Sequence, residues 1–139
     1  MTKLFLDSDV LLDLLLDRQP FSKDIVELIE TSIDSDIKLY SSPVSITNIH
    51  YIIGRLENQK KADSQIKKIL KIVSIENIGQ KVIDIASSSR FKDFEDSVQN
   101  YCAAESGHRM IITRNTKDFK ESELSILTPK EYLAKIRNE

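Results

Sequence analysis

Short apolar runs alternate along the chain with longer segments of helical periodicity, and this alternation limits the possible folds more than any other feature. The apolar runs predict strands at Lys3–Leu6, Ile37–Ser41, Ile72–Ile75, Met110–Thr113 and Leu124–Leu127. The periodic segments predict helices at Ser22–Ile33, Val44–Leu56, Lys60–Lys71, Gln80–Ser88, Phe94–Ser106 and Lys130–Arg137. Strands joined through helices by right-handed crossovers favour a three-layer α/β/α fold, in which a mostly parallel five-stranded sheet lies between helices.

Length and composition limit the class of protein. The 139 residues fit a single domain, residues 1–139, without repeats or a linker. The densest apolar stretch, Val10–Leu16, is short and contains Asp13, so no membrane association is expected. A single cysteine, Cys102, excludes an internal disulfide and a cysteine-based zinc site, and it favours the reducing cytoplasm. Because the net charge is only −2, any contact with nucleic acid must come from local patches.

Two aspartates interrupt the first apolar segment, "LFLDSDVLLDLLLDRQPF", which runs from Leu4 to Phe21. Burying an ionised carboxylate in such surroundings is costly unless something compensates its charge. Asp7 and Asp9 therefore either reach solvent where the strand ends or hold a cation. In the first case Asp9 can act as the N-cap of a helix that begins at Val10.

Acidic residues also gather in two later segments, "FKDFEDSVQ" before the fourth predicted strand and "TRNTKDF" directly after it. Each has a purely structural explanation, because Asp93 can cap a helix with Asp96 at its third position, and Asp118 can lie in an Asx-turn. In an open parallel sheet, however, ligands bind beyond the carboxyl ends of the strands at the topological switch point. We therefore predict that Asp7, Asp96 and Asp118 converge at that edge.

Converging carboxylates would raise one another's pKa values unless a cation neutralised them. Ligands that offer only oxygen favour Mg²⁺ or Mn²⁺ over zinc. Such an ion can lower the pKa of water and stabilise charge on a phosphate, which is the chemistry of metal-assisted phosphodiester hydrolysis. No serine or cysteine triad is evident, and the three glycines form neither a phosphate loop nor a dinucleotide fingerprint.

These motifs resemble those of the PIN-domain ribonucleases, especially the VapC-type toxins of bacterial toxin–antitoxin pairs. "FLDSDVLLDLLL" is similar to the family's opening strand and turn, "DFEDSVQNYCAAESG" to its third acidic motif and "MIITRNTKDF" to its fourth. The likeness runs from Lys3 to the final "LTPKEYL" helix, nearly the whole chain. The resemblance implies a PIN-like fold and a cytoplasmic endoribonuclease that depends on Mg²⁺ or Mn²⁺. The partners it implies are RNA, a small antitoxin protein and a second copy of the chain.

The same resemblance implies roles for individual residues. The catalytic acids would be Asp7, Asp96 and Asp118, and the metal ligands Asp7, Asp9, Asp96, Asp118 and Glu95. Supporting polar groups would be Ser8, Asn48, Asp93, Thr113 and Asn115. Arg114 and Lys117 adjoin these motifs and are predicted to contact RNA phosphates, although a solvated pair also explains them.

The chain departs from the family pattern at two positions. In "SPVSITNIHYIIGRL", Asn48 occupies a position where many PIN nucleases carry a glutamate, and Asp9 stands where asparagine is usual. Asp9 could restore the lost charge from the other side of the site. Asn48 can still offer an oxygen, but a neutral amide binds Mg²⁺ less strongly than a carboxylate.

Two other functions remain open at this point. Because of Asn48, the chain could be a catalytically weakened PIN module that binds RNA or a protein partner. It could also be a phosphoaspartyl phosphatase with Asp7 as nucleophile and Asp9 as acid/base. Against the phosphatase, the chain is short and lacks a downstream Gly-Asp pair.

Overall fold

The computed structural model describes residues 1–138, so Glu139, the last residue of the predicted domain, lies outside the described residues. The strands are β1 (Thr2–Leu6), β2 (Ile37–Ser41), β3 (Ser74–Ile75), β4 (Met110–Ile112) and β5 (Ser125–Leu127). The α-helices are α1 (Ser8–Leu15), α2 (Ser22–Asp34), α3 (Pro43–Leu56), α4 (Gln59–Ile69), α5 (Gln80–Ser87), α6 (Phe94–Glu105) and α7 (Pro129–Arg137). A short 3₁₀ helix occupies Thr116–Phe119. The strands pair in parallel in the order β3-β2-β1-β4-β5, which confirms the predicted α/β fold with a parallel sheet.

Alternate residues of β1 enter two different apolar clusters, as the twofold periodicity of a strand requires. Leu4 and Leu6 pack with residues from α1–α4 and α7, whereas Phe5 packs with residues from α5 and α6. All three side chains are fully buried. Because helices cover both faces of the sheet, the segments Leu4–Leu6 of β1 and Met110–Ile112 of β4 are apolar at every position and do not alternate with polar residues. Cys102 belongs to the second cluster and is a free, buried thiol of the core.

The predicted ends of the strands and of the six predicted helices, α2–α7, lie within two residues of the observed ones. Helix α6 ends at Glu105, two residues before Gly107, whose φ of +83° is left-handed. The Gly107 N–H donates to Ala104 O and the His108 N–H to Ala103 O, at 3.1 and 3.0 Å. These two bonds form a Schellman motif, which a residue without a Cβ adopts at least cost.

Asp9 does not cap the first helix, so the structural alternative to its role as a metal ligand is excluded in that form. Helix α1 begins at Ser8, and its N-cap is Asp7, which accepts a hydrogen bond from the Ser8 N–H. Asp9 therefore lies in the first turn of α1, ahead of the buried residues Val10 and Leu11. This apolar helix is only 8 residues long, and no helix within residues 1–138 is long and apolar enough to cross a membrane.

Candidate active site

The carboxyl ends of β1 and β4 lie side by side at the edge of the sheet. Strand β1 pairs with β2 on one side and with β4 on the other, so the sheet changes its direction of growth between β1 and β4. The Asp7 N–H donates to Ile112 O and the Thr113 N–H to Leu127 O, both at 2.9 Å. Asp7 and Thr113 are therefore held at the topological switch point, where ligands bind in sheets of this kind.

Both carboxylate oxygens of Asp7 accept hydrogen bonds. Oδ1 accepts from the Ser8 N–H at 2.8 Å and from Gln99 Nε2 at 3.1 Å, and Oδ2 accepts from Thr113 Oγ1 at 3.0 Å. These donors favour the ionised form, but Asp7 is only 7% exposed. Burial, followed by the neighbouring charge of Asp9, raises the pKa of Asp7 to about 7.

Asp9 occupies the same corner of the sheet and is held from the segment that follows β4. Its Oδ2 lies 3.2 Å from the Arg114 N–H nitrogen, 3.0 Å from Asn115 Nδ2 and 3.2 Å from Thr113 Oγ1. The single hydroxyl proton of Thr113 cannot serve Asp7 and Asp9 at the same time. Burial is also the main cause of a raised pKa at Asp9. The neighbouring carboxylates of Asp7 and Asp9 therefore compete for too few hydrogen-bond donors.

Asp96 enters the site from the first turn of α6. The Asp93 carboxylate caps this helix by accepting from the Asp96 N–H at 3.0 Å, so the structural role predicted for Asp93 is confirmed. Burial raises the pKa of Asp96 to about 7, with further contributions from the charges of Asp93, Asp118, Glu95 and Asp9. The Asp96 charge in turn contributes to the raised pKa of Asp7. Asp96 is therefore electrostatically coupled to both sides of the site.

Asp118 lies in the 3₁₀ helix, and its charge contributes to the raised pKa of Asp96. Asp96 and Asp118 line an open cleft of about 430 Å³ together with Lys117. Lys117 forms no ion pair with any residue in the range 1–138. The predicted acids therefore fall into an inner pair, the buried Asp7 and the partly buried Asp9, and a more open pair, Asp96 and Asp118.

Asn48 connects three helices at the rim of this site. Its Nδ2 donates to Glu95 Oε1 on α6 at 3.2 Å and to Ser8 Oγ on α1 at 3.4 Å. Burial and the charge of Asp93 raise the pKa of Glu95. The position that lacks the usual glutamate on α3 therefore contacts a glutamate supplied by α6.

Arg114 forms an ion pair with the buried Asp13. Its Nη2 donates to Asp13 Oδ1 at 3.1 Å, and its Nε lies 2.9 Å from Asp13 Oδ2. The guanidinium carbon also lies 4.2 Å from the centre of the Phe21 ring. Since Asp13 is only 1% exposed, Arg114 compensates a buried charge, and of the two predicted RNA contacts only Lys117 is unpaired.

Known proteins that resemble this chain support the same interpretation as the geometry of the site. A family profile described as PIN domain matches residues 3–117. The chain belongs to the PIN-domain family. Ribonuclease VapC1 of Aquifex aeolicus (strain VF5) is 30% identical over an alignment of 135 residues, and the match covers 94% of this chain and 92% of that protein.

Solved structures share the fold of this PIN domain at low sequence identity. The DNA-bound VapBC complex from Salmonella typhimurium contains a chain with a TM-score of 0.74 and 12% identity, and the match covers 93% of this chain and 99% of that one. A toxin–antitoxin complex from Klebsiella pneumoniae gives a TM-score of 0.68 and 20% identity over 90% of this chain and 96% of that one. The resemblance inferred from the three motifs is thus confirmed at the level of family and fold.

The donor atoms of this PIN domain fit a hard divalent cation. They are carboxylate oxygens. The charges of neighbouring carboxylates contribute to the raised pKa values of Asp7 and Asp96, so a cation would relieve this repulsion. Within residues 1–138, no three acidic, histidine or cysteine side chains form a ready metal-ligand group. Mg²⁺ does not require one, because it commonly binds through one or two carboxylates and keeps several waters.

Gln99 on α6 donates a hydrogen bond to Asp7 and was not among the residues predicted from the sequence. Its side chain is 1% exposed and lies between Asp7 and two serines of the α3 start, accepting a short hydrogen bond from Ser42 Oγ and donating to Ser45 Oγ at 2.5 Å. Gln99 follows Asp96 by three residues, so both lie on one face of the helix. This spacing was the available signal, but a polar residue at i+3 does not reveal its tertiary partner.

Replacing Gln99 by methionine is expected to weaken both the fold and the binding of Mn²⁺. The variant keeps the length of the side chain but removes the donor to Asp7 and leaves two serine hydroxyls without their partner, a loss of about 1–3 kcal/mol in unfolding free energy. Gln65→Met is the matched control, because Gln65 is also buried but donates its hydrogen bond to Leu15 O at the end of α1 and not to an acid of the site. Denaturant unfolding should detect both variants, whereas Mn²⁺ calorimetry should detect only Gln99→Met. Equal Mn²⁺ affinity in the two variants would contradict the role of Gln99 in orienting Asp7.

Proposed function

We propose that the chain is an endoribonuclease that hydrolyses RNA phosphodiester bonds with Mg²⁺ or Mn²⁺, and that it acts in the cytoplasm as the toxin of a toxin–antitoxin pair. The observation that carries the proposal is the placement of the buried Asp7 and the partly buried Asp9 beside Asp96 at the switch point of the sheet, where all three carboxyl groups have raised pKa values. The ribonuclease relative and the toxin–antitoxin neighbour support the reaction and the partner.

The ion would be held by carboxylates from three parts of the chain. Its proposed ligands are Asp7, Asp9, Asp96, Asp118 and Glu95. When bound, it would lower the pKa of an attacking water and offset negative charge at the scissile phosphate. The chain itself orients Asp7 through Thr113 and Gln99. Lys117 supplies a free positive charge at the cleft, where it can attract an RNA phosphate.

The structure bears differently on the two alternatives. A phosphatase needs Asp7 as a free nucleophile, but Asp7 is nearly buried and both of its oxygens accept hydrogen bonds. A catalytically weakened module retains one specific observation in its favour. Asn48 brings no carboxylate to the site and donates a hydrogen bond to Glu95 instead.

The test is cleavage of labelled RNA by protein freed of metal with a chelator. We expect no cleavage without added metal and cleavage with Mg²⁺ or Mn²⁺, because the clustered acids cannot stabilise phosphate charge unaided. A preparation from cells that lack the gene controls for contaminating nucleases. RNA that stays intact with Mn²⁺, while still binding the protein, would reject the nuclease and favour the weakened module.

A further inference from the structure

One exposed face of α3 combines an aromatic ring with a positive charge. Tyr51 is 62% exposed, and the guanidinium carbon of Arg55 lies 5.9 Å from the centre of its ring. Residues at i, i+3 and i+7 share one face of a helix, so Asn48, Tyr51 and Arg55 form a continuous row that we call the α3 stripe. At 1.5 Å per residue, Tyr51 and Arg55 lie about 4.5 and 10.5 Å beyond Asn48 along the helix axis.

The α3 stripe starts at the candidate active site. Asn48 contacts Ser8, the residue after Asp7, and Glu95, the residue before Asp96. Tyr51 lies one helical turn further from the sheet edge. A chain that leaves the site along α3 therefore meets the Tyr51 ring first and the Arg55 charge next.

This order of groups matches the chemistry of a single nucleic-acid strand. Exposed aromatic rings stack on unpaired bases of any sequence, and arginine attracts the phosphates that link them. Arg55 has no acidic partner within residues 1–138, so its charge is available. In a duplex the faces of the bases are covered by their neighbours, and only a terminal base could stack on Tyr51.

We propose that the α3 stripe binds a single-stranded RNA segment next to the cleavage site, with one base stacked on Tyr51 and a phosphate paired with Arg55. This inference rests on the proposed ribonuclease function and adds a surface, next to the cleavage site, that binds the substrate. It assigns substrate binding, and no part in the chemical step, to Tyr51 and Arg55.

The chain contains no tryptophan, so one introduced tryptophan reports on stacking alone. We would place it at Tyr51→Trp and, as a matched control, at Ile33→Trp on α2, where the side chain is 77% exposed. Both carry Asp7→Asn so that RNA is not cleaved. The probe is a 12-nucleotide RNA of mixed sequence, single-stranded or annealed to its complement. We expect the single strand to quench the fluorescence at position 51 but not at 33, and the duplex to quench neither.

Affinity for the same labelled strand, measured by fluorescence anisotropy, gives a second readout. Tyr51→Ala should weaken binding about 5- to 150-fold, the range expected for loss of one stacked base, whereas Tyr51→Phe should bind within about 2-fold of the parent. Arg55→Gln should lower the slope of log K against log salt by about 0.7, since one phosphate contact is lost.

Several results would overturn the inference. They are equal affinity of Tyr51→Ala and the parent, equal quenching by single strand and duplex, or no binding of the single strand at all. Quenching without RNA that rises with protein concentration, together with a dimer in sedimentation, would show that a second copy covers the stripe. If the parent cleaves RNA with Mn²⁺ but Tyr51→Ala binds normally, only the stripe fails; if the parent never cleaves RNA, the proposed function fails.

Discussion

Asp7→Asn is expected to abolish metal-dependent RNA cleavage, by more than about 100-fold, and at the same time to stabilise the metal-free protein. Asparagine is nearly isosteric with aspartate and can still accept hydrogen bonds from the Ser8 N–H and Thr113. It removes a carboxylate whose charge is disfavoured by burial and by Asp9. The same charge is the one that a bound cation requires. Activity and stability should therefore move in opposite directions.

The pH dependence of stability provides a separate readout of the same charge. Burial raises the pKa of Asp7 from 3.8 to about 7, so the folded protein holds this proton more tightly than the unfolded chain does. The resulting stabilisation is fully present below pH 3.8 and is lost as the pH rises through about 7. Lowering the pH from 8 to 6.5 should therefore raise the melting temperature of the metal-free protein by about 4 °C through Asp7 alone, which corresponds to about 1 kcal/mol. Asp96, whose pKa is also raised to about 7, adds a contribution of the same sign that Asp7→Asn leaves in place.

His108 sets the lower limit of that pH window. Burial lowers its pKa from 6.5, so the neutral ring is favoured in the folded protein. Its contribution to stability is present above pH 6.5 and is lost as the pH falls further, opposite in sign to that of Asp7. Thermal scans should consequently be compared between pH 6.5 and 8, where Asp7 and Asp96 both lose their stabilising protons and His108 does not oppose them.

The control is Asp34→Asn, which changes an exposed aspartate at the end of α2, distant in sequence from the acidic motifs. It should cleave RNA like the parent and show the parent's dependence of melting temperature on pH. Asp7→Asn should show a flatter dependence and a smaller gain in melting temperature on adding Mn²⁺. An Asp7→Asn protein that cleaves RNA as fast as the Asp34→Asn protein would refute the assignment of Asp7.

The sequence predicts the fold well because the sheet is buried on both sides. Runs such as Leu4–Leu6 are apolar at every position, and capping residues and Gly107 mark the helix ends. The start of α1 was harder, since Asp7 and Asp9 are both good N-caps. The choice depends on where the β1 ladder ends, and that is decided by a bond from the Asp7 N–H to Ile112 O, more than 100 residues away.

For the candidate site, the acidic residues were visible in the sequence but several of their partners were not. Thr113 and Asn115 follow a strand directly, so the sheet edge predicts their position. The pairing of Arg114 with Asp13 joins two segments about 100 residues apart, and Asp13 could be recognised in the sequence only as a charge within an apolar helix. Gln99 is similar, because its buried bonds join it to two other elements, to Asp7 at the start of α1 and to Ser42 and Ser45 at the start of α3.

Asn48→Glu is expected to destabilise the metal-free protein and to raise its affinity for Mn²⁺ about tenfold. The new carboxylate would face Glu95, to which Asn48 now donates a hydrogen bond at 3.2 Å, so an attraction becomes a repulsion. Like charges at this distance, combined with the lost bond, should lower the unfolding free energy by about 1–3 kcal/mol. A bound cation would be attracted by both carboxylates. Thr47→Glu is the matched control, because it adds the same charge to an exposed position of α3 one residue away.

Two double-mutant cycles then identify the acid that takes the place of the missing glutamate. In the first, Asn48→Glu is combined with Glu95→Gln, and in the second with Asp9→Asn. The contact between Asn48 and Glu95 predicts strong coupling in the first cycle, because a carboxylate on α3 becomes tolerable once its neighbour on α6 is neutral. Asp9 is bound instead from the segment after β4, through Asn115 and the Arg114 N–H.

Asp9 can therefore couple to position 48 only through a shared ion, which makes the second cycle a test of metal binding. Unfolding without metal should show coupling for Glu95 alone, whereas Mn²⁺ calorimetry should show it for both acids if both contribute to one ion. Additive effects, within about 0.5 kcal/mol, of Asn48→Glu and Asp9→Asn on Mn²⁺ affinity would show that Asp9 does not replace the missing charge. Glu95 would then be the acid that compensates for Asn48. The carboxylate that the family usually carries on α3 would in this chain come from α6.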